Sequence, residues 1–130
     1  SNRVSHHLAY FGDFFATCCQ LAGTPMPEDG KQRQSISLLP TLLGEKQSQE
    51  EHAFLYWELH GGHPRQAVRF GDYKAIRNPL GSDNVELYDL KNDSAERHNI
   101  ATKDPQHVSV AKQMMDASHR ESPLWPDRPR

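Results

Sequence analysis

Apolar and polar positions alternate between two periods along this chain, and the change of period divides it. From Asp13, the residues Phe14, Phe15, Cys18, Cys19, Leu21 and Ala22 fall at helical spacing. Asp13 reads as the N-cap, and Gly23 with Pro25 beyond it as the stop. Before it, Val4 to Phe11 is mixed apolar and reads as extended. Thr24 to Gln34 has the proline, glycine and charge content of a surface loop. Ser37 is placed to cap a second short helix, Leu38 to Leu43, ended by Gly44, and Glu45 to His52 is a polar, exposed connection.

The period then drops to two. Ala53 to Glu58 is β-prone and aromatic, Gln66 to Phe70 alternates, Gly71-Asp72 is a two-residue turn, and Tyr73 to Arg77 alternates again, which predicts a hairpin. Asn78 to Asn84, with Pro79, Gly81 and Asp83, is a turn before a fourth strand, Val85 to Leu90. Asp104-Pro105 then opens a helix in which Val108, Ala111, Met115 and Ser118 share a face with Met114 beside them. A methionine stripe of this kind reads as core. The prolines between Glu121 and Arg130 rule out further helix. The fold class expected is α+β: a four-stranded antiparallel sheet with a C-terminal helix packed on one face, and an N-terminal helical arm. The divisions expected are 1–52 for the arm and its loops, 53–120 for sheet and helix, and 121–130 for a tail.

Composition narrows the function. The chain has 130 residues, 35% hydrophobic, and a net charge of -2, with mean hydropathy -0.82. A nucleic-acid binder would show a basic stripe, so no nucleic-acid partner is expected. No apolar run approaches the ~20 residues that cross a bilayer, and no membrane partner is expected. Polar composition together with clustered Tyr10, Phe11, Phe14 and Phe15 suggests a face meant for a partner surface. Cys18 and Cys19 are adjacent, where a disulfide is strained, and read as small apolar helix residues.

Three segments carry a resemblance. The first runs through Val4-Ser5-His6-His7, Asp13-Phe14-Phe15-Ala16-Thr17, Leu21-Ala22-Gly23 and Leu39-Pro40-Thr41-Leu42-Leu43-Gly44. The second is Leu55-Tyr56-Trp57-Glu58, Ala67-Val68-Arg69 and Gly71-Asp72-Tyr73-Lys74. The third is Glu86-Leu87-Tyr88-Asp89-Leu90, Asp93, Glu96 and Asn99-Ile100-Ala101. In order and spacing, over about residues 4 to 118, they resemble the C-terminal portion of a sulfatase of the arylsulfatase type, in the alkaline phosphatase superfamily. Ala16 and Ser94 stand where that family usually has proline, and Gln34-Ser35 where it has Asp-Gly. A plain scaffold reading stands beside it: Leu87, Tyr88 and Leu90 packing between sheet and helix, Asp93 and Glu96 bridging a turn, and Lys74 in a cross-strand pair with an acid.

The resemblance implies a parent enzyme in which a formylglycine, made from Cys in a Cys-x-Pro/Ala-x-Arg motif, attacks sulfur beside a calcium ion held by Asp-Asp and Asp-Asn or Asp-His pairs. Neither cysteine here has that context, and there is no Asp-Asp pair. Asp83-Asn84 is followed by Val85 where the family has glycine, so it reads as a turn. His60-Gly61-Gly62-His63 supplies half of a zinc site at most. No catalytic and no metal-ligating residue is therefore expected in this chain, and no cofactor; calcium and formylglycine are expected in the parent. The expected partners are an N-terminal catalytic domain of the same protein and a sulfated substrate. The resemblance implies a periplasmic or extracellular location. The loop from Glu58 to Arg65 gathers Glu58, His60, His63 and Arg65 around two glycines, and these four are the substrate-binding candidates. An independent, non-catalytic binding module is the alternative, and a related phosphoesterase parent stays open.

Overall fold

A computed structural model describes residues 4–27 and 34–123. The central part of the Thr24 to Gln34 loop and most of the tail from Glu121 lie outside the described residues. The chain divides into two compact units, Ser1–Ala53 and Phe54–Arg130.

In the first unit, helix α1 spans Asp13–Leu21 and helix α2 spans Leu39–Leu43, followed by a 3-10 turn at Lys46–Ser48. Val4 to Tyr10 has no regular structure. Asp13 differs from the expected N-cap. Gly12 holds that position, with no side-chain cap, and Asp13 is the first helical residue. Its side chain is fully buried. One carboxylate oxygen accepts from the Tyr10 amide at 3.0 Å and the other from the Ile36 amide at 3.0 Å. His52 Nε2 lies 2.9 Å from Asp13 Oδ2. A buried carboxylate needs such partners, and these three tie the segment before α1, the segment before α2 and the last residues of the unit to one group. His52, with a side chain only 4% exposed, is thus structural and not part of an exposed connection. Thr17 adds a second tie: its hydroxyl donates to the Asp13 carbonyl at 2.7 Å and accepts from the Leu38 amide at 2.9 Å. Ser37 Oγ accepts from the Leu39 amide as expected of a capping side chain, with the helix beginning one residue later than predicted. Gly44 closes α2 at φ +90°, a conformation that favours glycine. Cys18 is exposed and Cys19 buried, both as free thiols. Phe11, Phe14 and Phe15 are exposed, at 88%, 59% and 44%, whereas the half-buried Tyr10 hydroxyl bonds Ser35 Oγ at 3.1 Å.

The second unit is an antiparallel meander. Strands β1 (Leu55–Leu59), β2 (Arg65–Phe70), β3 (Tyr73–Arg77) and β4 (Val85–Asp89) pair in sequence order. The hairpin register places Phe70 opposite Tyr73 across Gly71-Asp72, and Gly71 takes φ +51°. Helix α3, Pro105–Ser118, follows an Asp104 cap whose carboxylate accepts from the His107 amide at 3.1 Å. Side chains alternate across a sheet, so one set of positions meets α3. Val68, Phe70, Ala75, Val85 and Leu87 on the strands, with Ala111 and Met115 on the helix, form the core, and Val108 and Met114 pack against it. The fold class is α+β as expected. Leu87 is core, but Tyr88 and Leu90 are not: they occupy the opposite pleat, where the Tyr88 hydroxyl donates to Glu86 Oε2 at 2.9 Å. Lys74 also departs from expectation. Its register partners are Arg69 and Tyr88, and its acid is Glu96 from the loop after β4, with both carboxylate oxygens at 2.7 Å. Asp93 does bridge its turn, accepting from the His98 amide at 2.7 Å.

Candidate functional site

The loop between β1 and β2 leaves the sheet where Glu58 pairs with Gln66 and Leu59 with Arg65. Tyr56, Glu58 and Gln66 point to the side covered by α3, since each is two residues along from, or directly opposite, a core or network position. There they form a polar extension of an otherwise apolar layer. Glu58 is its centre, with a side chain 12% exposed. The Tyr56 hydroxyl donates to Glu58 Oε1. His119 Nδ1, just past the end of α3, lies 2.6 Å from the same oxygen, and His60 Nε2 lies 2.9 Å from Oε2. Behind them Gln66 Nε2 donates to the Tyr56 hydroxyl at 2.9 Å, and Arg77 Nη1 donates to Gln66 Oε1 at 3.2 Å and to Asp116 Oδ1 at 2.6 Å. The network therefore runs from the loop through β1, β2 and β3 to the last turn of α3.

Its electrostatics follow from that geometry. Burial pushes the Glu58 carboxyl up, but the hydrogen bonds from Tyr56 and His119, with the charge of His119 and His60, outweigh burial and hold it below the ordinary glutamate range. Burial, and then the hydrogen bond to Glu58, raises the Tyr56 phenol. A carboxylate that already accepts two hydrogen bonds and pairs with a histidine is an anchor. It fixes the His60 ring rather than offering itself to a ligand.

The four sequence candidates thus separate. Glu58 and His60 come together. His63 and Arg65 are exposed on the other limb of the loop and stand outside the network. Sequence reasoning missed Tyr56, Gln66, Arg77, Asp116 and His119. Gln66 and Arg77 had one available signal: each is a polar residue in phase with the apolar face of its strand. His119 had none, being separated from Glu58 by 61 residues.

Formylglycine and calcium chemistry does not fit what is present. Among the described residues, no three or more His, Cys, Asp or Glu side chains are arranged to hold a metal ion. Cys18 leads into Cys19-Gln20-Leu21-Ala22, and Cys19 is buried in the helical unit.

Comparison with known proteins decides the family. The C-terminal domain of N-sulphoglucosamine sulphohydrolase matches residues 1–122. The chain belongs to this family of sulfatase C-terminal domains. It is similar to a Delta 4,5-hexuronate-2-O-sulfatase of Bacteroides thetaiotaomicron, 38% identical over 103 residues, covering 75% of this chain and 20% of that protein. Among solved structures, it is similar to a protein from work on the metabolism of multiple glycosaminoglycans by Bacteroides thetaiotaomicron, with TM-score 0.59 and 27% identity over 81% of this chain and 24% of that one. Ps i-CgsB, solved with k-i-k-neocarrahexaose, shares the fold at TM-score 0.66 and 19% identity, covering 89% of this chain and 26% of that one. The sulfatase C-terminal domain thus spans between a fifth and about a quarter of the length of these proteins.

Proposed function

We propose that this domain is the C-terminal subdomain of a longer sulfuric ester hydrolase, in which it packs on the catalytic domain and helps to wall the substrate cleft. The chain itself carries no centre for sulfate ester hydrolysis; calcium and formylglycine belong to the remainder of the enzyme. The substrate-side residues are those of the β1–β2 loop. Glu58 positions His60, while His63 and Arg65 present an imidazole and a guanidinium to solvent. Such groups suit sulfate, carboxylate and hydroxyl groups of a sulfated saccharide through charge-assisted hydrogen bonds. The hexuronate and glycosaminoglycan specificities named for the relatives favour that substrate class.

The observation that carries the reading is the anchoring of His60 by a largely buried carboxylate that is itself held from β1 and from the end of α3. A loop histidine braced in this way is pre-organised, as a residue that orients a ligand must be. The test uses the full-length enzyme on a sulfated disaccharide. His60→Ala and His63→Ala are each expected to lower kcat/KM by about tenfold, the loss of ~1.4 kcal/mol of transition-state binding, with Tm unchanged. Wild-type kinetics in both variants would remove the loop from the cleft.

A further inference from the structure

His60 sits at the start of a loop that does little to hold it. Gly61 and Gly62 follow it directly, and a side-chain carbon placed on either would meet, beyond its chain neighbours, no atom of the described residues within 4 Å. Backbone with so little packing takes its geometry from the polar partners that reach it. Glu58 Oε2, 2.9 Å from His60 Nε2, is such a partner. The carboxylate is itself fixed from the other side. Its Oε1 accepts from the Tyr56 hydroxyl and stands 2.6 Å from His119 Nδ1. Glu58 is ionised at neutral pH and only accepts, so Nδ1 of His119 carries the hydrogen. The end of α3 sets where that ring stands. The His119 amide donates to the carbonyl of the completely buried Met115 at 3.0 Å, and the backbone then leaves the helix at φ -58° and ψ 135°. Arg120 Nη1 donates to the carbonyls of Ala117 and His119, each at 2.8 Å, and closes the last turn from outside. Within the same turn, Asp116 ties the helix to Arg77 on β3 at 2.6 Å.

We propose that His119 is a positioning residue for the substrate-side loop: through its hydrogen bond to Glu58 it holds His60 in place for the sulfated substrate, without touching the substrate itself. This deepens, and rests on, the reading of the β1–β2 loop as part of the cleft wall. The distribution of partners over the carboxylate favours it. Tyr56 already supplies a donor to the largely buried Glu58, and His119 adds a second donor to that same oxygen, leaving Oε2 to His60. Two donors on one oxygen restrain rotation of the carboxyl group, so they fix the direction in which Oε2 faces the loop. The seating of α3 on the sheet is thereby carried to a side chain 59 residues earlier in the sequence, in a loop that leaves an edge strand.

A double-mutant cycle in the full-length enzyme, on a sulfated disaccharide, tests this. His119→Ala is expected to lower kcat/KM about fivefold, less than His60→Ala does, because the His60 ring is displaced and not removed. In the His60→Ala background the same change is expected to cause no further loss, since residues that act as one unit do not add. His119→Asn keeps a nitrogen donor near the place of Nδ1 and is expected to recover most of the rate. A loss that adds in full to that of His60→Ala overturns the proposal, because His119 would then act by another route. A fall in Tm with wild-type kcat/KM also overturns it, since His119 would be a structural partner only. So does a loss in His119→Asn as large as that in His119→Ala. Wild-type kinetics in His60→Ala would remove the loop from the cleft and this proposal with it. A loss in His60→Ala with none in His119→Ala overturns this proposal alone.

Discussion

The two faces of the sheet are made by the same four strands and differ in what covers them. On the α3 side, Val68, Ala75, Leu87, Ala111 and Met115 are completely buried. The polar residues that enter that layer are joined to one another, from His60 through Glu58 and Tyr56 to Gln66, Arg77 and Asp116. On the other side Trp57 and Leu59 stay exposed, and the Arg69 guanidinium has a buried nitrogen with no acceptor. The first face is covered by α3. The second leaves Trp57 and Leu59 open to solvent while Leu55 beside them is buried. Each face keeps one buried guanidinium nitrogen without a partner among the described residues, Arg77 Nε on one and Arg69 Nε on the other, so the distinction lies in the apolar layer that α3 covers on one side only.

The comparison is most severely tested in the closed layer. Leu87→Ala is expected to cost about 2–5 kcal/mol, because it leaves a cavity under α3 that the surrounding side chains fill only in part. Urea unfolding measures it, and a loss below 1 kcal/mol or so would mean that α3 does not close this face tightly.

Next in size is Glu58→Gln, expected to cost about 1–2 kcal/mol at neutral pH, the scale of hydrogen bonds to a charged acceptor. Because the folded-state value of Glu58 is lowered from 4.5, its contribution is fully present above that pH and is lost as pH falls through the folded value. The stability gap between wild type and Glu58→Gln should therefore narrow in acid. A gap that is constant with pH would contradict the account of Glu58 as a carboxylate held by donors.

Smallest is Lys74→Ala. The Lys74–Glu96 pair is 28% and 30% exposed, and a pair open to solvent to this degree contributes about 1 kcal/mol or less, declining with added salt. A large, salt-independent loss would place this pair in a closed environment and break the contrast between the faces.

What could be read from the sequence divides along similar lines. Strand β3 and its Gly71-Asp72 turn were legible to the residue, since alternation and turn chemistry are both local signals. Helix α3 was legible because Asp104 and Pro105 announce it. Strand β1 begins two residues later than the aromatic run suggested. Asp13 was misread because an N-cap aspartate and a buried one look identical in sequence, and the difference lies in His52, 39 residues away. Lys74 was given a cross-strand acid because strand pairing is the nearest source of one, whereas Glu96 reaches it from a loop. In the candidate site, the loop residues were visible as a cluster, but Tyr56, Arg77 and His119 join it only through the pairing of three strands and the return of α3. Long-range polar networks leave no periodic trace.

The central claim is that this domain serves a sulfatase without containing its chemistry. The direct measurement is hydrolysis of a chromogenic aryl sulfate by the purified 130-residue chain with calcium present, after cooperative thermal unfolding has shown that the sample is folded, and beside the full-length enzyme. The account predicts turnover by the full-length enzyme and a rate for the chain equal to the buffer blank. Calcium-dependent turnover by the chain well above the blank would contradict it.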